Sequence, residues 1–120
     1  GGNLHVIAAS LPVAAAGYVV LAKSLDPVAN WGLTADYSFG ADFTLGNSGD
    51  EIILQCGDPA VTIDRIDYIK SNVVLSTSWQ LGLSSYGADN NDMSLWCPGT
   101  AEYGTDARLG TPGLANAECQ

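Results

Sequence analysis

The chain has 120 residues, which suits one domain with a core of its own. Its net charge of −9, with four basic residues in all, excludes phosphate neutralisation on nucleic acid and a polybasic membrane-surface patch. Hydrophobic residues are 47% but charged residues only 14%, against about a quarter in ordinary globular domains. That balance, with 14 glycines, suits extracellular β-proteins whose solubility rests on Ser, Thr, Asn and Gly.

In chain order, the first predicted strand is Leu4 to Ile7. Pro12 lies in a loop, and Gly17 supplies the turn before a second strand, Tyr18 to Ala22. Leu4 to Ala22 as a whole is too interrupted, by Pro12 and Gly17, to serve as the roughly 20 apolar residues of a membrane helix. The start lacks the basic region of a signal peptide, and Met93 is the only methionine. The chain is therefore expected to begin at a processed or engineered end. Asp26-Pro27 and Asn30 mark a loop. Trp31 to Phe43 reads as loop or short edge strand, and Phe43 to Leu45 as a short apolar run.

Gly46-Asn47-Ser48-Gly49-Asp50 is a dense turn signal. It launches a strand, Glu51 to Cys56. Gly57-Asp58-Pro59 turns the chain back into Val61 to Ile69, with Ile63, Ile66 and Tyr68 expected inward and Asp64, Arg65 and Asp67 facing water. Val73 to Leu75 is another apolar run. Trp79 to Leu83 alternates as a half-buried strand does. Asp89 to Asp92 is a polar loop, Leu95 to Cys97 the last short strand, and Gly99 to Asn116 a surface tail. Short strands separated by turn signals predict an all-β sandwich or barrel.

Cys56, Cys97 and Cys119 fit no zinc spacing. Cys97 and Cys119 bracket the Pro- and Gly-rich tail. A disulfide between them would pin it, at about 3 kcal/mol of loop-closure stabilisation. Cys56 is then free, buried, or paired outside the chain.

Chemistry-bearing clusters are sparse. His5 is the only histidine and no G-x-S-x-G elbow is present, so no triad is expected. Asp89 and Asp92 offer hard oxygen ligands for Ca²⁺, although their spacing is not that of an EF-hand, and Asx turns explain the same composition. No other cofactor is implied. Trp31 flanks a loop and is the candidate aromatic surface for a ligand such as a sugar. Trp79 and Trp96 sit in strand patterns and are expected in the core.

Five segments, in order, resemble those of the bacterial lamin-tail domain. Gly17 to Ala22 is similar to the strand after its Pro-containing loop. Leu45 to Leu54 resembles "LxNsGDxvxL", and Ile63 to Tyr68 resembles "vDxvxY". Gln80 to Ser84 with Asp89 and Trp96 resembles "SLxL…D…W". Gly110 to Asn116 resembles the "GTPGxxN" terminator. The resemblance implies an immunoglobulin-like β-sandwich, secreted or at the cell surface, with residues 1–120 as a single domain. The family's opening signatures, "NEI…EWIEL.N" and "DLSGW", have no counterpart here, so the domain is expected to be N-terminally incomplete relative to the family. A fragment boundary, a rebuilt first strand and a strand accepted from another copy all account for that. The last is taken up as the working expectation, because open sheet edges and bare apolar faces invite association.

The function expected from the sequence is a non-catalytic extracellular structural or adhesive module. Its partners are copies of itself or an adjacent domain supplying strands, and it would serve as the repeating subunit of a surface fibre or coat. The alternatives are an accessory domain of a secreted hydrolase or nuclease, and a carbohydrate-binding module.

Overall fold

The computed structural model of the protein describes residues 3–120. Among them the chain is all-β, with eight strands, three short 3₁₀ turns and no α-helix. The strands are β1 (Leu21–Ala22), β2 (Tyr37–Ser38), β3 (Gly49–Cys56), β4 (Val61–Ile69), β5 (Trp79–Leu81), β6 (Trp96–Pro98), β7 (Glu102–Tyr103) and β8 (Arg108–Leu109). They pair as four separate two-stranded sheets: β1 with β2 in parallel, and β3–β4, β5–β6 and β7–β8 antiparallel.

The β3–β4 hairpin is the longest element, and it forms where the turn glycines and β-branched runs place it. Gly49 opens it with φ of +118°, where a side chain would meet the Tyr68 carbonyl 2.8 Å away. Only glycine suits that corner. The register slips between Leu54 and Gln55: Leu54 faces Asp64, whereas Gln55 faces Thr62, so Ile63 stands without a cross-strand partner. This bulge leaves Ile63 unpaired while Asp64, Ile66 and Tyr68 stay on one face of the strand. Ile66 and Tyr68 are half-buried as their pattern predicts, but Ile63 is 62% exposed and Asp64 is half-buried. Counting by two from Ile66 and Tyr68 puts Asp64, not Ile63, on their face, so the inward expectation for Ile63 departs from the alternation that the strand keeps. On the opposite face Arg65 pairs with Glu51 at 2.6 Å and with Asp67 at 2.8 Å.

The C-terminal third is knitted across its two small sheets. Ser78 donates to the Leu109 carbonyl at 2.7 Å, Gly99 to Ser78 at 2.8 Å, and Gly110 to Ala101 at 2.8 Å. Gly99 and Gly110, expected on the surface, are buried at this junction, and the stretch expected as a surface tail supplies β7 and β8. Cys97 and Cys119 are joined, with an S–S distance of 2.13 Å. The tail they close lies against β5: Asn116 Nδ2 donates to the Leu81 carbonyl at 2.9 Å, and Gln80 Nε2 to Ala117 at 3.3 Å.

Several expected strands are shorter or absent. Leu4 to Ile7 and Phe43 to Leu45 join no sheet, and Val73 to Leu75 contributes only a single bridge, Val74 to Thr77. Of the expected strand 18–22, only Leu21–Ala22 pairs. Apolar β-propensity alone does not make a strand; a neighbour with open hydrogen-bonding groups must be present.

No hydrophobic side chain among the described residues is fully buried. Gln80, at 5% exposure, is the most enclosed polar side chain. Trp79 and Trp96, expected in a core, are half-buried. What stands where a core would be is an open cleft.

Candidate interaction surface

The hairpin builds one wall of that cleft. Ile52, Ile66 and Tyr68 share one face of the β3–β4 ribbon, because each pair in register projects to the same side. The chain then turns through Val73 and Val74 into β5, whose Trp79 joins Met93 and Trp96 as the other wall. The cleft holds about 330 Å³, and none of its lining side chains is charged. One polar link braces the hairpin wall and another ties it to the opposite one. Tyr68 donates through its hydroxyl to the Gly46 carbonyl at 2.8 Å. Asn90 Nδ2 donates to Asp64 Oδ2 at 2.8 Å, while the Trp96 indole donates to the Asn90 carbonyl at 2.8 Å. Burial, with Asp50 nearby, pushes the Tyr68 hydroxyl above its ordinary pKa, so it remains a donor throughout the neutral range.

The Trp79 indole N–H is buried and has no acceptor among the described residues. An unpaired buried donor costs about 1–3 kcal/mol.

The turn that launches the hairpin is electrostatically set. Asp50 accepts from the Glu51 and Gly46 backbone N–H groups, both at 2.9 Å. These bonds, Glu51 first, hold its carboxyl below the ordinary range, against a smaller opposing effect of burial. A group whose folded pKa is depressed stabilises above the unfolded value, and that contribution is lost as pH falls through the folded one. The melting temperature of the protein is therefore expected to fall on acidification below about pH 4. In Asp50→Asn that acid-side decline should be shallower, as followed by circular dichroism. An unchanged pH profile in the variant would remove Asp50 as a contributor.

The chain's first described residues are clamped beside the hairpin. Asn3 Nδ2 donates to Thr44 Oγ1 at 2.8 Å. His5 lies between Asp42 (Nδ1 to Oδ2, 3.1 Å) and the Tyr37 hydroxyl (Nε2 to Oη, 2.7 Å). Sequence spacing gave no sign of this bridge, because its members are separated by 37 and 32 positions. From there Val6 to Ala16 run as an arm with every residue exposed except Leu11.

Asp89 and Asp92 serve local turns. Asp89 Oδ1 accepts from Asn91 N and Nδ2, and Asp92 Oδ1 from Ser94 N at 2.9 Å, bonds to Ser94 that lower the Asp92 pKa. No group of three or more His, Cys, Asp or Glu side chains among the described residues is placed to hold a metal ion. Trp31 is 45% exposed with φ of +52°. The Arg108 guanidinium lies 4.1 Å from its ring centroid, so one face is already covered. Cys56, at the end of β3, is free and exposed.

No family model, curated protein or solved structure matches this chain.

The surface must therefore be read from its own chemistry. No helix among the described residues is long and apolar enough to cross a membrane. A disulfide is compatible with an extracellular location. The sequence signals that would have pointed to the cleft are two: the apolar runs at Ile52–Leu54 and Val73–Leu75, and the absence of charge from Ser71 to Trp79. Both were visible, but their convergence depends on how the hairpin folds over.

Proposed function

We propose that the chain is a non-catalytic extracellular structural module that completes an immunoglobulin-like sandwich of the lamin-tail type by self-association, as the repeating subunit of a surface fibre or coat. The observation that carries this reading is the lack of any fully buried hydrophobic side chain among the described residues of a chain that is 47% hydrophobic. A domain of this size ordinarily buries close to two-thirds of the surface its unfolded chain exposes. Leu54, Val61, Ile63 and Ile69 of the hairpin are all more than half exposed. A two-stranded ribbon is marginal alone and gains from further strands or a covering face. Its outer edges template such pairing. The all-β pairing, the Gly46–Asp50 turn and the disulfide suit a secreted sandwich.

The Asp42–His5–Tyr37 bridge ends on a phenol, and we read it as a clamp on the N-terminal arm. Sedimentation velocity over a wide dilution series, with negative-stain imaging of the concentrated end, tests the proposal. Concentration-dependent association, with ordered polymers or defined oligomers, is expected. A single monomeric species at every concentration, with unchanged thermal stability, would overturn it.

A further inference from the structure

We infer that the cleft between the hairpin and β5–β6 is a strand-acceptor groove, and that its occupant is the uncharged arm, residues 6–16, of a second copy of this chain. The inference rests on the self-association proposed above and names its two mating parts.

Charge matching selects the occupant. The groove's lining is uncharged and largely apolar. An Asp, Glu or Lys entering it would be stripped of water without a counter-ion, which costs several kcal/mol. Thirteen acidic residues are spread along the chain, so few segments meet the requirement. The two longest stretches without an Asp, Glu, Lys, Arg or His side chain are Val6 to Ala22 and Ser71 to Ala88. The second builds the groove wall itself, through Val73, Val74 and Trp79. The first begins as the exposed arm, rich in Ala and Val, with Val6 at 69% and Val13 at 60% exposure.

The arm is free to be donated. Its root is held by His5 and Asn3, and beyond the root it joins no sheet. An extended segment also offers what the groove lacks. Its alternate side chains meet Ile52, Ile66, Val74 and Met93. This is β-strand addition, in which backbone bonds supply affinity and alternate side chains supply specificity. An arm given at one end and a groove taking at the other make a heterologous contact, which propagates into a filament unless the rotation closes a ring.

The test blocks each half separately. Val6→Asp with Val13→Asp charges the arm at positions of opposite parity, so one charge faces the groove whichever side of the arm enters. Val74→Asp charges the groove rim at a position already 42% exposed. All three sites are solvent-accessible in the single chain, so the fold should survive, which near-ultraviolet circular dichroism checks. Each variant alone is expected to sediment as a monomer where the wild-type chain assembles. An equimolar mixture should form a species of two chains and no larger one, because only one intact groove and one intact arm remain. Assembly of either variant at the wild-type level, or a mixture that stays monomeric, would overturn the inference while leaving self-association by another surface standing. A monomeric wild-type chain would instead overturn the proposed function itself.

Discussion

Replacing Cys97 and Cys119 together by serine is expected to destabilise the protein by about 3 kcal/mol and to release its C-terminal tail. The bridge spans 22 positions, and the tail it closes contains no strand beyond β8. Its other attachments are hydrogen bonds, among them Asn116 to Leu81 and Tyr86, Gln80 and Leu83 to Ala117, and Ser84 Oγ to Glu118 Oε2 at 2.7 Å. Each neutral bond is worth about 0.5–1.5 kcal/mol after exchange with water. Once the chain is free to leave, the closure entropy they must offset exceeds any one of them. Thermal unfolding and limited proteolysis check this together. A lowered midpoint with early cleavage between Gly110 and Cys119 is the expected pair of results. A midpoint shift equivalent to less than about 1 kcal/mol, with the tail still protected, would show that the polar contacts suffice.

Gly99→Ala is expected to cost roughly 1–3 kcal/mol, a large effect for one methyl group. A Cβ at Gly99 would stand 2.8 Å from the Gly110 Cα and 3.0 Å from its nitrogen. Both are backbone atoms, so no side-chain rotation relieves the contact. Gly110 itself holds φ of +150°, and a Cβ there would strike the Ser78 side chain. The pair lets β5–β6 approach β7–β8 closely enough for Ser78 to bond both Gly99 and Leu109. Gly87→Ala is the matched control: nothing lies within 4 Å of its added Cβ, and it should be neutral or slightly stabilising through the unfolded chain. Denaturant titration of the two variants side by side reads the difference. Equal midpoints would mean that the glycine junction yields without cost.

The hairpin was legible because its information is local. Gly49, the Gly57-Asp58-Pro59 turn and two β-branched runs lie within about twenty residues and need no distant partner. The Ile63 bulge was hidden, since nothing in an unbroken Val-Thr-Ile-Asp-Arg-Ile pattern marks where the register slips. The cysteine reading drew on composition, a tail too poor in apolar residues to hold itself. The buried glycines 99 and 110 escaped for the opposite reason: glycine is written alike at a loose surface turn and at a tight crossing. The Asp42–His5–Tyr37 bridge and the cleft walls join residues far apart in the chain. Sequence periodicity carries no information about such convergence.

The absence of a sealed interior also has a calorimetric consequence. Heat capacity rises on unfolding in proportion to the apolar area newly wetted, ordinarily about 12–15 cal/mol/K per residue. A single chain whose Leu75 is 92% and Val28 is 84% exposed has already wetted much of that area. Its stability curve is therefore expected to be broad and shallow, with a muted response to both warming and urea. Under the proposed self-association, the missing increment is expected as a negative heat-capacity change of assembly.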